Sequence, residues 1–104
     1  MLNPEIIETI NKTVTQIAEV KKILLFGSYA RGDETTDSDI DICVITEDPR
    51  RNLELMKDIR YSIFTKIKAP LDILVYKPEE FSTRSNMKYT IEEEIAHEGI
   101  LLYE

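Results

Sequence analysis

The chain has 104 residues, of which 42% are hydrophobic and only 3 are Gly and 4 are Pro. This composition is typical of a globular domain and excludes a disordered or collagen-like chain. The 13 Lys and Arg residues against 20 Asp and Glu residues give a net charge of −7. Because polyanions bind mainly through basic side chains, this charge weighs against a nucleic-acid partner. We predict a single domain over residues 1–104.

Cysteine content and hydropathy predict where the protein works. Cys43 is the only cysteine in the sequence, which excludes an intrachain disulfide. The first residues lack the basic segment and apolar run of a leader peptide, and no stretch of about 18 apolar residues occurs. We therefore expect a cytoplasmic protein without membrane contact.

The first half of the chain predicts one helix and two strands. Asn3 can cap a helix with Pro4 at its first position, and apolar residues then recur at helical spacing, namely Ile6, Ile7, Ile10, Val14, Ile17 and Ala18. The apolar run 23–26 predicts a buried strand that stops at Gly27. Residues 39–45 alternate, which predicts a second strand with Ile40, Ile42 and Val44 on one face and Asp39, Asp41 and Cys43 on the other.

The second half predicts further helices around a third strand. Apolar residues keep a helical period from Leu53 to Ile67, and residues 71–76 alternate as a strand. We expect a helical turn over 78–81, a helix from Asn86 to His97 that Gly99 ends, and an extended segment over 100–103. Together the elements predict an α/β (α+β) unit with a mixed β-sheet and flanking helices.

Three aspartates are placed on strands where they can meet. Asp39 and Asp41 project from one face of the second strand, with Cβ atoms roughly 6.5 to 7 Å apart. Asp72 can join them if the second and third strands are neighbours. Crowded carboxylates repel each other unless cations enter, and Mg²⁺ prefers oxygen ligands. Two Mg²⁺ ions would suit a phosphoryl or nucleotidyl transfer.

The segment after the first strand has the composition of a phosphate-binding turn. Gly27 lets the backbone approach a ligand closely, and the Ser28 hydroxyl can bond to a terminal phosphate. Arg31 can hold a phosphate or the carboxylates, or it can pair with Asp33 or Asp37 at the surface. These alternatives stay open for Arg31, and Ser38 can cap the turn before Asp39.

These motifs resemble a known family. The string GSYARGDETTDSDID at residues 27–41, with Asp72 in LDILVY, resembles the signature of the DNA polymerase β-like nucleotidyltransferase superfamily, in its minimal version. The resemblance covers nearly the whole chain. It implies that Asp39, Asp41 and Asp72 bind two Mg²⁺ ions and that Asp72 helps to activate the acceptor.

The same resemblance implies a substrate and a partner. Gly27 and Ser28 would hold the triphosphate of ATP, with Arg31 and Ser38 in supporting roles. Minimal members of the family commonly add AMP to a tyrosine of a HEPN-type helical toxin, in toxin–antitoxin pairs. We expect the partner to supply the acceptor, since the chain shows no acceptor-binding domain. The sequence leaves a homo-oligomer open.

Three other functions are compatible with these residues. The chain can be a non-catalytic antitoxin that occludes its partner, an enzyme that modifies small aminoglycoside-like compounds, or one that extends RNA ends. The acidic charge argues against RNA. A small-molecule enzyme of this superfamily usually needs an added domain to hold its substrate.

Several other residues receive structural interpretations. Cys43 is interpreted as a small apolar side chain, because a catalytic thiol needs basic neighbours. His97 is interpreted as structural or solvated, the segment Glu92–Glu94 as a solvated helix face, and the pair Arg50–Arg51 as exposed and available to an acidic partner. Packing is expected to explain the tyrosines, which are Tyr29, Tyr61, Tyr76, Tyr89 and Tyr103.

Overall fold

The computed structural model describes residues 2–104 and contains five helices and four strands in this part of the chain. In chain order the elements are α1 (Pro4–Ile17), β1 (Val20–Phe26), α2 (Ser28–Arg31), β2 (Ile40–Thr46), α3 (Asn52–Phe64), β3 (Leu71–Tyr76), α4 (Pro78–Ser85), α5 (Ile91–Glu98) and β4 (Ile100–Tyr103). None of the helices in this part of the chain is long and apolar enough to cross a membrane.

The strands form a mixed sheet in the order β3-β2-β1-β4. β1 is antiparallel to both β2 and β4, whereas β2 and β3 are parallel and joined by α3. A parallel pair needs a crossover connection, which α3 provides. The predicted mixed sheet with flanking helices is therefore confirmed.

The two faces of the sheet are covered by different helices. α1 and α3 pack on one face through aliphatic residues such as Val14, Ile59 and Ile42, which are fully buried. α4 and α5 pack on the other face, where Phe81 and Ile95 contact a smaller cluster around Phe26 and Cys43. Because side chains alternate along β2 and β3, the aspartates of these strands project from the face that α4 and α5 cover.

Most predicted elements are found, with shifted ends. Asn3 caps α1 by accepting the N–H of Glu5 at 2.8 Å, as predicted. β1 begins at Val20 rather than at residue 23, and α3 ends at Phe64, so that Ile67 is buried in the following loop. The turn predicted over 78–81 continues as α4 to Ser85, because its first turn holds Pro78 and two acidic residues.

The predicted start of the last helix is wrong. Asn86 ends α4, and Thr90 caps α5 through a hydroxyl that accepts the N–H of Glu93 at 3.0 Å. The Glu93 carboxylate in turn accepts the N–H of Tyr89 at 3.1 Å. The Thr90 hydroxyl and the Glu93 carboxylate together satisfy two backbone N–H groups at the start of α5, which makes a stronger helix start than Asn86 alone. Gly99 ends the helix, as predicted.

Candidate active site

The three aspartates meet where β2 and β3 begin. Asp41 and Asp72 are paired residues in the parallel register of these strands, and Asp39 lies immediately before β2. Residues paired across neighbouring strands project from the same face of the sheet. Asp39 and Asp72 are exposed and Asp41 is half-buried, so solvent reaches all three side chains. β2 and β3 are therefore neighbours, which is the condition under which Asp72 was expected to join Asp39 and Asp41.

The electrostatics of the site show how closely the carboxylates are packed. The pKa of Asp41 is raised from 3.8 to about 6, first by loss of hydration and then by the negative charges of Asp72 and Asp39. A side-chain hydrogen bond with Asp72 raises this pKa further, and the Arg31 guanidinium lowers it. The carboxylates are therefore an unneutralised acidic group that favours a proton or a cation.

These oxygen donors fit a hard divalent cation. Magnesium takes carboxylate oxygens and keeps positions for water and phosphate. Among residues 2–104, no group of three or more His, Cys, Asp or Glu side chains already has the arrangement of a metal site. The role of the three aspartates as metal ligands is therefore a proposal.

Gly27 forms one wall of the acidic site. It lies between β1 and α2 with a φ of 75°, a left-handed backbone that favours glycine. A Cβ atom at this position would overlap Oδ2 of Asp41. The backbone therefore passes directly against the carboxylate, and a side chain here would displace it. Ser28 follows as the half-buried first residue of α2.

Arg31 connects the acidic site to α5. Its Nε donates to Oδ2 of Asp33 at 3.2 Å, and its Nη1 lies 3.7 Å from Glu94 and 4.0 Å from Glu98. The predicted pairing with Asp33 is confirmed, and the contacts with α5 were not predicted. Because Arg31 also lowers the pKa of Asp41, its charge acts on the carboxylates from this position.

Ser38 holds the loop that leads into Asp39. Its Oγ accepts the backbone N–H of Thr35 at 2.8 Å, and the Ser38 N–H donates to the Thr35 carbonyl at 3.1 Å. The turn-capping interpretation of Ser38 is confirmed. This turn positions Asp39 next to β2, which supports the acidic site without direct contact to it.

Cys43 lies below the site and has the predicted apolar character. It is fully buried with Phe26 and Ile95. Burial and the negative charge of Glu92 raise the pKa of its thiol to about 12. The thiol is therefore protonated at neutral pH and is not a nucleophile.

Glu92 corrects the prediction of a wholly solvated face at residues 92–94. Its side chain is 2% exposed, accepts the Tyr76 hydroxyl proton at 2.8 Å and accepts from Nε of Arg84 at 2.5 Å. Burial and this carboxylate raise the pKa of Tyr76 above its ordinary value. The spacing of Glu92 three residues before buried Ile95 was a signal for an inward position. Glu94 is exposed, as predicted.

Arg50 corrects a second prediction. Its guanidinium donates to both carboxylate oxygens of Asp48 at 3.0 Å and to the Ile17 carbonyl at 2.6 Å. It is therefore engaged within the fold and not available to a partner, while Arg51 is exposed. The bidentate contact lowers the pKa of Asp48 to about 2.

The prediction that every tyrosine is packed is also wrong. Tyr61 and Tyr89 are 74% and 98% exposed. Tyr76, by contrast, packs on Phe81 with ring centroids 5.5 Å apart. His97 is exposed, which agrees with its interpretation as solvated.

Comparisons with known proteins agree with this geometry. A protein of Methanocaldococcus jannaschii, provisionally named a protein adenylyltransferase, is 33% identical over 84 residues, which are 81% of this chain and 79% of that protein. A crystal structure described as a toxin–antitoxin with AMP-PNP matches with a TM-score of 0.64 and 22% identity, over 93% of this chain and 72% of the other.

A further solved structure has the same fold as this chain. A complex of tri-AMPylated Shewanella oneidensis HEPN toxin with MNT antitoxin matches with a TM-score of 0.56 and 19% identity, over 95% of this chain and 70% of the other. The predicted fold class is thereby confirmed. The family model described as a nucleotidyltransferase domain matches residues 7–99. This chain therefore belongs to the nucleotidyltransferase domain family.

Proposed function

We propose that the chain transfers AMP from ATP to a hydroxyl group of a partner protein, and that the acceptor is a tyrosine of a HEPN-type toxin. The observation that carries this proposal is the group of Asp39, Asp41 and Asp72 against the backbone of Gly27. Residues 1–104 would act as one cytoplasmic nucleotidyltransferase domain. The chain would be the antitoxin of a toxin–antitoxin pair.

The three aspartates would hold two magnesium ions through their carboxylate oxygens. When bound, the ions neutralise the triphosphate and the attacking and leaving oxygens. The unneutralised charge at Asp41 supports this role, because a cation removes the repulsion that raises its pKa. Ser28 would donate a hydrogen bond from its hydroxyl to a phosphate oxygen. Gly27 would approach the triphosphate through its backbone, because the place of its missing Cβ is filled by the Asp41 carboxylate.

The transfer itself is an in-line displacement. The acceptor oxygen forms a bond to the α-phosphorus while the bond to the bridging oxygen of pyrophosphate breaks, and pyrophosphate leaves with the electron pair. Asp72 is exposed beside Asp41 and would take the proton of the acceptor hydroxyl on its carboxylate. Arg31 would stabilise negative charge on the phosphates while Asp33, Glu94 and Glu98 hold it in place.

The comparisons support a protein as the acceptor. The relative from Methanocaldococcus jannaschii is provisionally named a protein adenylyltransferase. The Shewanella oneidensis complex contains a HEPN toxin that carries AMP groups, and the other structural neighbour contains an ATP analogue. A protein acceptor with ATP as the donor is the simplest function that agrees with these relatives and with the acidic site.

The test is to incubate the purified chain with ATP labelled on the α-phosphate and a candidate HEPN-type protein, namely the product of the neighbouring gene if it is of that type. We expect label on that protein with magnesium and none with a chelator. The double variant Asp39→Asn, Asp41→Asn should lose transfer by about a thousandfold or more, because it removes the carboxylate charge on which metal binding depends.

The matched control is Asp37→Asn, which removes an exposed acid from the same loop outside the carboxylate group. It should transfer AMP at close to the unmodified rate. If the unmodified chain binds the HEPN-type protein tightly but labels nothing, the proposal is wrong and the chain neutralises its partner by occlusion.

A further inference from the structure

The loop between α4 and α5 carries an unusual set of exposed side chains. Met87, Tyr89 and Ile91 are 52%, 98% and 47% exposed. Large apolar side chains grouped in this way at a surface mark contact sites for other molecules. We call residues 87–91 the tip.

The tip is held in place and is not a frayed segment. The Thr90 hydroxyl is 2.9 Å from the carbonyl oxygens of Arg84 and Met87. The Tyr89 N–H donates to Glu93 at 3.1 Å, and Tyr89 has a φ of 67°, which a non-glycine residue rarely adopts. The Tyr89 ring is thus presented to solvent from a backbone that is fixed on both sides.

A concavity beside the tip combines this ring with acidic groups. It has a volume of about 640 Å³, and its lining includes Tyr89, Ile91, Glu93, Glu94, His97 and Glu98. An aromatic face next to carboxylates is an environment that favours a lysine or arginine side chain. The same carboxylates disfavour the triphosphate of ATP, which carries negative charge.

The concavity is connected to the acidic site by one residue. Glu94 and Glu98 contact Arg31 at 3.7 and 4.0 Å, and Arg31 is the last residue of the short helix α2, which begins beside Gly27, where the backbone lies against Asp41. Three acids, which are Asp33, Glu94 and Glu98, surround this single guanidinium, so the surface remains acidic. A protein seated in the concavity therefore contacts the residues that pair with Arg31.

We propose that the concavity beside Tyr89 receives a basic side chain of the acceptor protein, and that the tip packs on an apolar surface around that side chain. Docking there positions the acceptor hydroxyl at Asp72. This inference rests on the proposed transfer of AMP to a protein. It identifies the partner surface as a lysine or arginine surrounded by apolar residues.

The test uses variants that change the concavity without touching the acidic site. Tyr89→Asn removes the ring but keeps a residue that tolerates positive φ. His97→Lys adds positive charge to the concavity, and His97→Glu adds negative charge. Tyr61→Ala is the matched control, because Tyr61 is an exposed tyrosine on α3. Circular dichroism and Tm measurements check that each variant folds.

Two quantities are measured with the HEPN-type protein that serves as acceptor in the test of the proposed function. One is the Kd of the two proteins without ATP, and the other is the KM for that protein and for ATP during AMP transfer. We expect Tyr89→Asn to raise the Kd and the acceptor KM about tenfold, with kcat and the KM for ATP within about twofold. His97→Lys should raise the acceptor KM and His97→Glu should lower it.

Two results would overturn the inference. One is an unchanged Kd and acceptor KM in Tyr89→Asn, and the other is a raised KM for ATP, which would assign the ring to the adenine base. Failure of the proposed function looks different, because the unmodified chain would then transfer no AMP. In that case the Kd values alone decide whether the tip is the docking surface.

Discussion

The two faces of the sheet differ in what they bury. Under α1 and α3, β2 and β3 contribute aliphatic residues such as Ile42, Val44 and Ile73 that are fully or almost fully buried. On the face toward α4 and α5, the alternate residues include Asp41, Asp72 and Tyr76. One face is therefore mainly aliphatic, whereas on the other face the same strands combine a smaller buried cluster with charged residues. The strand period of two separates these roles residue by residue.

The largest effect on stability should come from the aliphatic face. Ile59 lies in α3 with no exposed surface, and Ile59→Ala should lower the free energy of unfolding by about 3 kcal/mol through lost burial and a residual cavity. Urea unfolding followed by circular dichroism measures this. The kcat of AMP transfer for the folded fraction should stay unchanged, because Ile59 packs on the face of the sheet opposite the aspartates.

The control for this prediction is on the same helix. Leu53 is 56% exposed, and Leu53→Ala should change the free energy of unfolding by less than about 0.5 kcal/mol. If both variants lost similar stability, burial would not explain the effect, and helix propensity would not either, because Ala is a better helix former than Ile or Leu. The contrast between the two faces would then be weaker.

The face under α4 and α5 also contains a buried polar group that stabilises the fold. Glu92→Ala should lower the free energy of unfolding by about 2 kcal/mol, because it leaves the Tyr76 hydroxyl without its acceptor and removes the contact with Arg84. Thermal and urea unfolding test this. Glu92→Gln should cost less, since its amide oxygen can still accept the hydroxyl proton.

A double-mutant cycle of Glu92→Ala with Tyr76→Phe separates the hydrogen bond from other effects. We expect a coupling free energy of about 1 kcal/mol. A Glu92→Ala variant as stable as the unmodified chain would mean that the cost of burying the carboxylate cancels its contacts. The face under α4 and α5 would then contribute to the chemistry of the site but not to the stability of the fold through this group.

The sequence predicts the two faces better than it predicts individual polar contacts. Alternation along residues 39–45 and 71–76 depends on local geometry, so the sides of Asp41 and Asp72 followed directly. Their pairing depends on which strands are neighbours, which is a property of the whole chain. The wrong predictions for Glu92 and Arg50 have the same cause, because each residue bonds to a partner distant in sequence, such as Tyr76 or Ile17.

The exposed tyrosines show a further limit of prediction from sequence patterns. Local periodicity cannot predict that Tyr89 adopts a positive φ, because this conformation results from the Thr90 and Glu93 contacts that start α5. The link from Arg31 to Glu94 and Glu98 likewise depends on where α5 packs. Motifs predicted the identity of the acidic site, and tertiary packing determined its surroundings.

The smallest effect should come from the acidic site and should have the opposite sign. The folded pKa of Asp41, about 6, is above its ordinary value of 3.8, so ionisation disfavours the folded state. Protonation of Asp41 therefore stabilises the folded chain. This stabilisation is fully present below about pH 4 and is lost as the pH rises through about 6. In metal-free protein, Asp41→Asn should therefore be more stable than the unmodified chain by about 1 kcal/mol near pH 8. The expected difference is this small because the carboxylate is partly exposed and solvent screens the repulsion. The two chains should be equally stable near pH 4 in urea unfolding with a chelator present. An equal difference at both pH values would show that repulsion among the carboxylates does not destabilise this face.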